Sequence, residues 1–553
     1  MYYFLCKSVK SVRNKIIAMK RIFLLLISLL GGILLSLAWP EKGFAPLLFI
    51  GFVPFLFVED YILKNREKFG RISVFLFVYP GFLIWNILTT WWIWHSTVVG
   101  SILAWVLNAL MMSLTFQLFH FTRRFIKSSQ SLFILVFFWI SFEYFHHNWE
   151  GTWPWLSLGN GFASWFKWIQ WYEYTGIFGG TLWIILSNII IYQLIVKIIH
   201  HERKTKLILL SVILLLITVL PVLLSYRLYN HYKEKSWPVD MVVVQPNVDP
   251  YKEQYTLLAS ELMERNLSLA RQKTDSLVDF LASPESAIQE NIWEDRIEEA
   301  RSLVTIQKFL QDYPRTGYVI GASTYYNFQP GEKLSATARK FRSSEGHYDA
   351  FNSAVYIDTS TLIRIHHKSK LTPGVEKMPF SRLLKPIENL AFDLGGTVGS
   401  LGTDPERTVF DRPTDHLKIA PVICYESVFG AYVNQYIRKG ANLIFVITND
   451  GWWGNTPGHR QHFTFSRLRA IETRRSIARS ANTGISAFID QRGDAFQETR
   501  YWEPAVIRQK INANDALTFY VRYGDYIARI SAFVAVFLLL IALSLRLRSK
   551  MSG

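Results

Sequence analysis

Residues 419–426 (IAPVICYE) and 442–448 (NLIFVIT) are short apolar runs, each ending where the chain turns polar. Runs of this length, rich in β-branched residues, read as buried strands. Working outward, MVVVQ (241–245), VDFLASPE (278–285), GYVIGAS (317–323) and GISAFID (484–490) read the same way, and NSAVYID (352–358) with LIRIHHK (362–368) reads as a hairpin. Residues 253–273, 296–312 and 460–480 read as helices between them, and the polar, glycine-bearing stretch 326–350 as an irregular surface loop. Strands alternating with helices imply a layered α/β domain.

Further out the composition changes. The chain has 553 residues, 50% hydrophobic and only 19% charged, and the apolar residues concentrate in 22–225 and 529–545. Seven stretches, roughly 22–39, 44–63, 73–94, 98–122, 131–146, 174–196 and 207–225, and an eighth near 529–545, approach or exceed the length that crosses a bilayer. The first follows a basic N-terminus, lacks a convincing cleavage site and is followed by more spans, so it reads as a retained anchor. The expected architecture is a polytopic α-helical bundle of about eight spans over 1–225 and 528–553, carrying an α/β domain over 226–527.

The net charge is +17. Its placement argues against nucleic acid, because basic residues gather at the ends of apolar spans. One set of segments carries twenty Lys and Arg, among them Lys7, Lys64, Arg123, Arg203 and Arg546, and the alternate short loops only Lys42 and Lys167. By the positive-inside rule both termini are cytoplasmic and residues 226–527 lie outside. Tryptophans crowd the outer side, including Trp91, Trp92, Trp94, Trp153, Trp155, Trp165 and Trp168. They form either an interfacial aromatic belt or a platform that admits lipid chains to a site above the membrane. Glu143, His146 and His147 near the outer end of the fifth stretch read as interfacial.

The two cysteines, Cys6 and Cys424, fall on opposite sides in this topology, which excludes a disulfide scaffold, and they offer no metal-ligand spacing. Cys424 is either a small buried hydrophobe or a nucleophile, and the second role needs a base or cation nearby. Glu285 follows Pro284 at a strand end, where it caps a helix or takes a proton. Lys368 ends a strand, as a solvated lysine or as a charge beside an oxyanion. Asn449 also follows a strand directly, and strand ends are where layered α/β folds place their sites.

These residues together resemble the nitrilase, or carbon–nitrogen hydrolase, superfamily, which uses Glu, Lys and Cys in this chain order on an αββα sandwich. The motifs match at Ser283-Pro284-Glu285, at Lys368 with Leu371-Thr372-Pro373, and at Ile423-Cys424-Tyr425-Glu426. Over nearly its full length the chain is similar to the apolipoprotein N-acyltransferases of bacterial envelopes, a family with eight spans and the nitrilase domain inserted before the last. That likeness rests on Trp153-Pro154-Trp155, Val244-Gln245-Pro246-Asn247, Thr448-Asn449-Asp450-Gly451-Trp452-Trp453-Gly454, Gln461-His462, Arg467-Leu468-Arg469-Ala470, Asn482-Thr483-Gly484 and Tyr523-Gly524-Asp525.

The resemblance implies Glu285 as base, Lys368 as oxyanion stabiliser and Cys424 as nucleophile, with Glu376 a second essential glutamate. It implies Asn352, Tyr425, Glu426 and Trp452 as pocket residues, beside Asn449, and neither a cofactor nor a metal. The usual Pro-Phe-Gly-Glu is Pro373-Gly374-Val375-Glu376 here, and Tyr251 or Tyr255 stands for the family's tryptophan. The implied reaction moves a fatty acyl chain from a membrane phospholipid, through a Cys424 thioester, to the N-terminal amine of a diacylglyceryl-cysteine apolipoprotein, at the periplasmic face of the inner membrane. The alternatives are a membrane-tethered amidase or nitrilase acting on a soluble substrate, and a transporter or receptor. Few ionisable residues lie in the spans, which counts against transport.

Overall fold

The computed structural model describes residues 2–128, 130–342, 344–360, 362–377, 400–412 and 414–551, with side chains from Lys20 onward. Cys6 therefore lies outside the described side chains. Among the described residues seven helices are long and apolar enough to cross a membrane: Lys20–Ala38, Ala45–Lys64, Ser73–His95, Val98–Ile126, Ile177–Ile199, Lys204–His231 and Tyr526–Met551. The stretch expected to span over 131–146 forms a helix of 15 residues, Ile134–Asn148. At 1.5 Å per residue it is about 22 Å long, and the 3-10 turn Ser131–Phe133 that runs into it adds about 6 Å, so the two together approach the ~30 Å hydrocarbon core.

The helices explain themselves by what surrounds them. In Lys204–His231 only Ser225 is buried, while Leu209, Leu215 and Leu223 are each 60% exposed. An apolar helix with so much of its surface exposed is stable only in lipid. Inside the bundle, Phe55 stacks on Phe82 at 4.4 Å and Phe52 meets Trp139 edge-on at 4.6 Å. The first and third helices cross on glycines: a Cβ on Gly32 would lie 2.1 Å from the Gly81 carbonyl oxygen, so any side chain there would part them. One set of buried charges lies between helices Val53–Lys64 and Val98–Ile126, where Glu59 meets His120 Nδ1 at 2.8 Å and Arg123 bonds both Glu59 and, at 2.9 Å, Asp60.

Two sheets follow. The first contains β1 (Pro238–Gln245), β2 (Phe280–Ala282), β3 (Ile288–Trp293), β4 (Gly317–Asn327), β5 (Arg339–Lys340), β6 (His347–Ile357), β7 (Arg364–His367) and β14 (Ala505–Asn512). The second contains β8 (Phe410–Arg412), β9 (Leu417–Ile423), β10 (Leu443–Thr448), β11 (Ile477–Ala481), β12 (Ala487–Ile489) and β13 (Ala495–Phe496). Parallel pairs, β1–β2–β4 and β9–β10–β11, form the centres; β3 also pairs parallel with β4, and the other flanking strands are antiparallel.

Alternation along the strands sorts the residues into layers. Met241, Val243, Phe280 and Val319 face Ile419, Ile423, Phe445 and Ile447 between the sheets. Val242, Val244, Leu281 and Ile320 face outward, against helices Ala259–Arg271 and Arg301–Gln311. On the far side Val422, Ile444 and Val446 pack on helices Gly430–Arg438 and Pro457–Thr473, in one apolar cluster that continues into the membrane bundle. The result is an αββα sandwich whose last helical layer doubles as the seat of the bundle.

Several element boundaries differ from the sequence reading. The helix expected over 460–480 ends at Thr473, where Arg474 turns left-handed at φ 50°, and β11 follows. β11, Ile-Ala-Arg-Ser-Ala, lacks an apolar run because its buried Arg479 is neutralised by Asp450 at 2.7 Å. The helix expected over 253–273 begins at Ala259. Before it, the Asp249 carboxylate takes the N–H groups of Tyr251 and Lys252 and holds a turn. The helix expected over 296–312 begins at Arg301, behind a 3-10 stretch. The loop expected over 326–350 is partly strand, since β4 runs to Asn327, β6 starts at His347 and β5 pairs with it.

Candidate active site

Cys424 and Asn449 follow the C-terminal ends of the adjacent parallel strands β9 and β10, so one edge of the second sheet presents both. Glu285 follows β2 and Lys368 follows β7 in the facing sheet. The Lys368 N–H donates to the Asn352 carbonyl at 2.8 Å, which fixes that lysine against β6. Cys424 has φ 48° and Ser286, next to Glu285, φ 53°. A left-handed non-glycine residue costs about 1–3 kcal/mol and persists only where its surroundings over-determine it.

The four polar groups form a closed set. Lys368 Nζ donates to Glu285 Oε1 at 2.8 Å and to Glu376 Oε1 at 2.9 Å. Asn352 Nδ2 donates to the same two oxygens, each at 2.8 Å. Glu285 Oε2 accepts the Asn449 N–H at 3.0 Å, and Glu376 Oε2 the Thr372 N–H at 2.9 Å. One oxygen accepts up to two hydrogen bonds, so Glu285 Oε2 keeps a free lone pair for a proton. Burial pushes the Lys368 ammonium down, but Glu285 and Glu376 outweigh it and hold its pKa well above the ordinary value. The loop carboxylate Glu376 thus pairs with Lys368, while Lys377 points to Glu150 at 3.9 Å.

Cys424 is buried in the layer between the sheets. Burial, then the Glu285 charge, push its thiol well up, and Lys368 offsets this only in part. The resting thiol therefore keeps its proton and needs a base to become a nucleophile. Cys424, Asp450 and His462 also bring ligand atoms within 4.8 Å of one another. As a metal set they fit poorly, because Arg479 already sits 2.7 Å from the Asp450 carboxylate. Burial would raise Asp450, yet Arg479 outweighs it and holds that carboxyl well below the usual range.

The neighbours of Cys424 divide by task. Tyr425 reaches toward the membrane segments: its hydroxyl donates to the Thr152 carbonyl at 3.0 Å and its ring stacks on Trp153 at 6.0 Å. Glu426, expected in the pocket, is a brace: fully buried, it accepts the Ile423 N–H at 2.9 Å, the Ser369 N–H at 2.7 Å and the Tyr432 hydroxyl. It thereby ties the Lys368 loop to the Cys424 strand. The Trp452 ring meets Tyr251 edge-on at 5.1 Å, and the Tyr251 hydroxyl lies 2.9 Å from the Trp452 carbonyl and 3.0 Å from that of His95. Tyr251 therefore joins the α/β domain to a loop between membrane helices, while Tyr255 is exposed.

The tryptophans separate likewise. Trp91 and Trp94 are exposed, as a belt would be. Trp92 and Trp155 are fully buried and pack on Trp453, a floor beneath the site that sequence reading left undecided. Glu143, expected at the interface, is buried and accepts Trp139 Nε1, the Leu158 N–H and the Thr181 hydroxyl. The Asp450–His462–Arg479 group went unassigned in the sequence, although Asp450 and His462 fall inside quoted motifs, because nothing in the chain order brings them to Cys424.

Comparison with known proteins agrees with this architecture. Residues 31–190 match the model of the apolipoprotein N-acyltransferase N-terminal domain, and residues 232–518 match that of carbon-nitrogen hydrolase. The chain is similar to the apolipoprotein N-acyltransferase of Chlorobaculum tepidum, 27% identical over 93% of this chain and 95% of that one. It is similar also to that of Geobacter metallireducens, 27% identical over 91% and 92%. Among solved structures, a branch 10 nitrilase-superfamily member of Saccharomyces cerevisiae is similar at 13% identity over 51% of this chain and 92% of that one, with a TM-score of 0.36. The chain belongs to the carbon–nitrogen hydrolase family, in its membrane-embedded apolipoprotein N-acyltransferase branch.

Proposed function

We propose that this protein transfers a fatty acyl chain from a membrane phospholipid to the N-terminal amine of a diacylglyceryl-cysteine apolipoprotein, with Cys424 as nucleophile. The observation that carries the reading is a buried ammonium shared by two carboxylates beside a buried thiol, in a domain seated on the bundle. Glu285 takes the Cys424 proton as sulfur attacks the ester carbonyl of the lipid. Lys368 balances the oxyanion of the tetrahedral intermediate. Its collapse expels the lysophospholipid alkoxide, which takes the proton from Glu285, and leaves a thioester. The acceptor amine then attacks the thioester carbonyl, gives a proton to Glu285 and forms the amide. The thiolate departs and recovers that proton. Splitting the transfer lowers each barrier.

Incubation with phospholipid and intact mass spectrometry test this. A fatty-acyl adduct on Cys424, released by hydroxylamine, is expected. Absence of the adduct, with hydrolysis of soluble amides in lipid-free buffer, would favour the amidase instead.

The location proposed is the bacterial inner membrane, with residues 226–527 periplasmic and both termini cytoplasmic. It rests on the charge asymmetry of the loops. Lys333 is exposed. Lys333→Cys should therefore react with a membrane-impermeant maleimide in intact spheroplasts. Reaction only after lysis would reverse the orientation.

A further inference from the structure

Helix Pro457–Thr473 lies between the second sheet and the membrane segments, with Gln461 and His462 buried on it. Gln461 Oε1 accepts Trp155 Nε1 at 2.7 Å and Trp92 Nε1 at 3.3 Å, which fastens the aromatic floor to this helix. His462 turns the other way. Its Nε2 lies 2.9 Å from Ser427 Oγ and 3.1 Å from the Cys424 carbonyl oxygen, and Ser427 Oγ donates to that same carbonyl at 2.7 Å. A carbonyl only accepts, and the Ser427 proton is committed to it, so Nε2 carries the hydrogen.

The far side of the ring is fixed as firmly. His462 Nδ1 lies 2.9 Å from Asp450 Oδ1, which also accepts the Thr448 hydroxyl at 2.8 Å. Arg479 holds the other Asp450 oxygen at 2.7 Å and is itself tied to Ser466 Oγ at 3.0 Å and the Ile485 carbonyl at 3.1 Å. His462 cannot rotate without breaking this set.

The Cys424–Tyr425 peptide is planar and trans, so its N–H points opposite to its C=O. With the carbonyl anchored to His462 and Ser427, the Tyr425 N–H is aimed away from them. At a strand-to-helix nucleophile elbow, the N–H after the nucleophile serves as an oxyanion donor. We propose that His462 is a positioning residue that, through the Cys424 carbonyl, holds the left-handed backbone of the nucleophile and orients the Tyr425 N–H as an oxyanion donor beside Lys368. Asp450 and Arg479 act through His462. The proposal rests on the acyl-transfer reading above.

The test pairs two reactions of the same sulfur. Thioester formation from labelled phospholipid develops an oxyanion, whereas alkylation by iodoacetamide displaces iodide and develops none. His462→Ala should slow single-turnover thioester formation about 100-fold, the scale of one lost oxyanion donor. Apparent KM for the phospholipid and the alkylation rate of Cys424 should stay at wild-type values. Ser427→Ala removes the other hold on the carbonyl and should show the same split with a smaller loss, which serves if His462→Ala does not fold. The two losses should combine non-additively, since both act on one atom. A parallel fall in alkylation would place His462 on the thiol itself, and a rise in KM alone would assign it to the lipid floor. Either result, or unimpaired turnover, overturns the proposal. A wild-type protein that forms no thioester while Cys424 still alkylates would overturn the acyl-transfer reading as a whole.

Discussion

Cys424→Ser should abolish thioester formation while the protein still folds and inserts. The side chains are nearly isosteric, and the residue is packed between the sheets among Ile423, Phe445 and Ala478, so the change keeps the core filled. What it removes is an ionisable sulfur. A hydroxyl is far harder to deprotonate than a thiol, and removing the nucleophile from an acyl-transfer site costs roughly 10⁶-fold. A gel or mass assay with labelled phospholipid should show no covalent adduct. Near-normal turnover would remove Cys424 from the nucleophile role. The resting state has its own signature. Burial and the Glu285 charge raise the thiol, with Lys368 offsetting only part. Its neutral form is therefore favoured below that raised pKa, and alkylation of wild-type Cys424 should keep rising with pH beyond 9. A plateau below pH 8 would reveal a resting thiolate and leave Glu285 no proton to take.

Lys368→Met should fail on two separate measurements. In single turnover it should slow thioester formation about 100- to 1,000-fold, because its charge balances the oxyanion that develops in the transition state. In thermal unfolding it should cost about 3–5 kcal/mol, the range for removing one partner of a buried ion pair. Lys368 and Glu285 are 2% and 7% exposed and Glu376 14%, so water screens the two remaining carboxylates weakly. Glu285→Gln separates the roles, since it keeps the shape but takes no proton, and rapid labelling of that variant would exclude it as the base.

The two kinds of periodicity in the chain explain what was legible. Apolar runs of 18 residues or more report the bilayer directly, because lipid imposes one requirement along the whole length of a helix. The buried strands report the sandwich for a similar reason, as alternating residues such as Val242 and Val243 fill two different layers. The fifth helix was harder to read. Most of Ile134–Asn148 is buried among other helices, and composition does not distinguish burial in protein from burial in lipid. β11 was missed because its buried residues include Arg479, whose charge is acceptable only beside Asp450.

The candidate site shows the same division. Glu285, Cys424 and Asn449 could be picked out of the chain because each follows an apolar strand, a local property, while Lys368 and the roles of the triad came from the family resemblance. Tertiary structure alone decided that Glu376 meets Lys368 and not Lys377, that Glu426 braces two loops, and that Trp92 and Trp155 form a floor while Trp91 and Trp94 face outward. It also decided that His462, 38 residues beyond Cys424, holds the carbonyl of the nucleophile. Sequence by itself determines which groups are available and which segments must be buried, since propensity, hydropathy and charge are carried by the residues themselves. Which carboxylate shares which ammonium, and which ring nitrogen faces which carbonyl, depends on approaches of about 3 Å between segments far apart in the chain, and only the packed fold sets those distances.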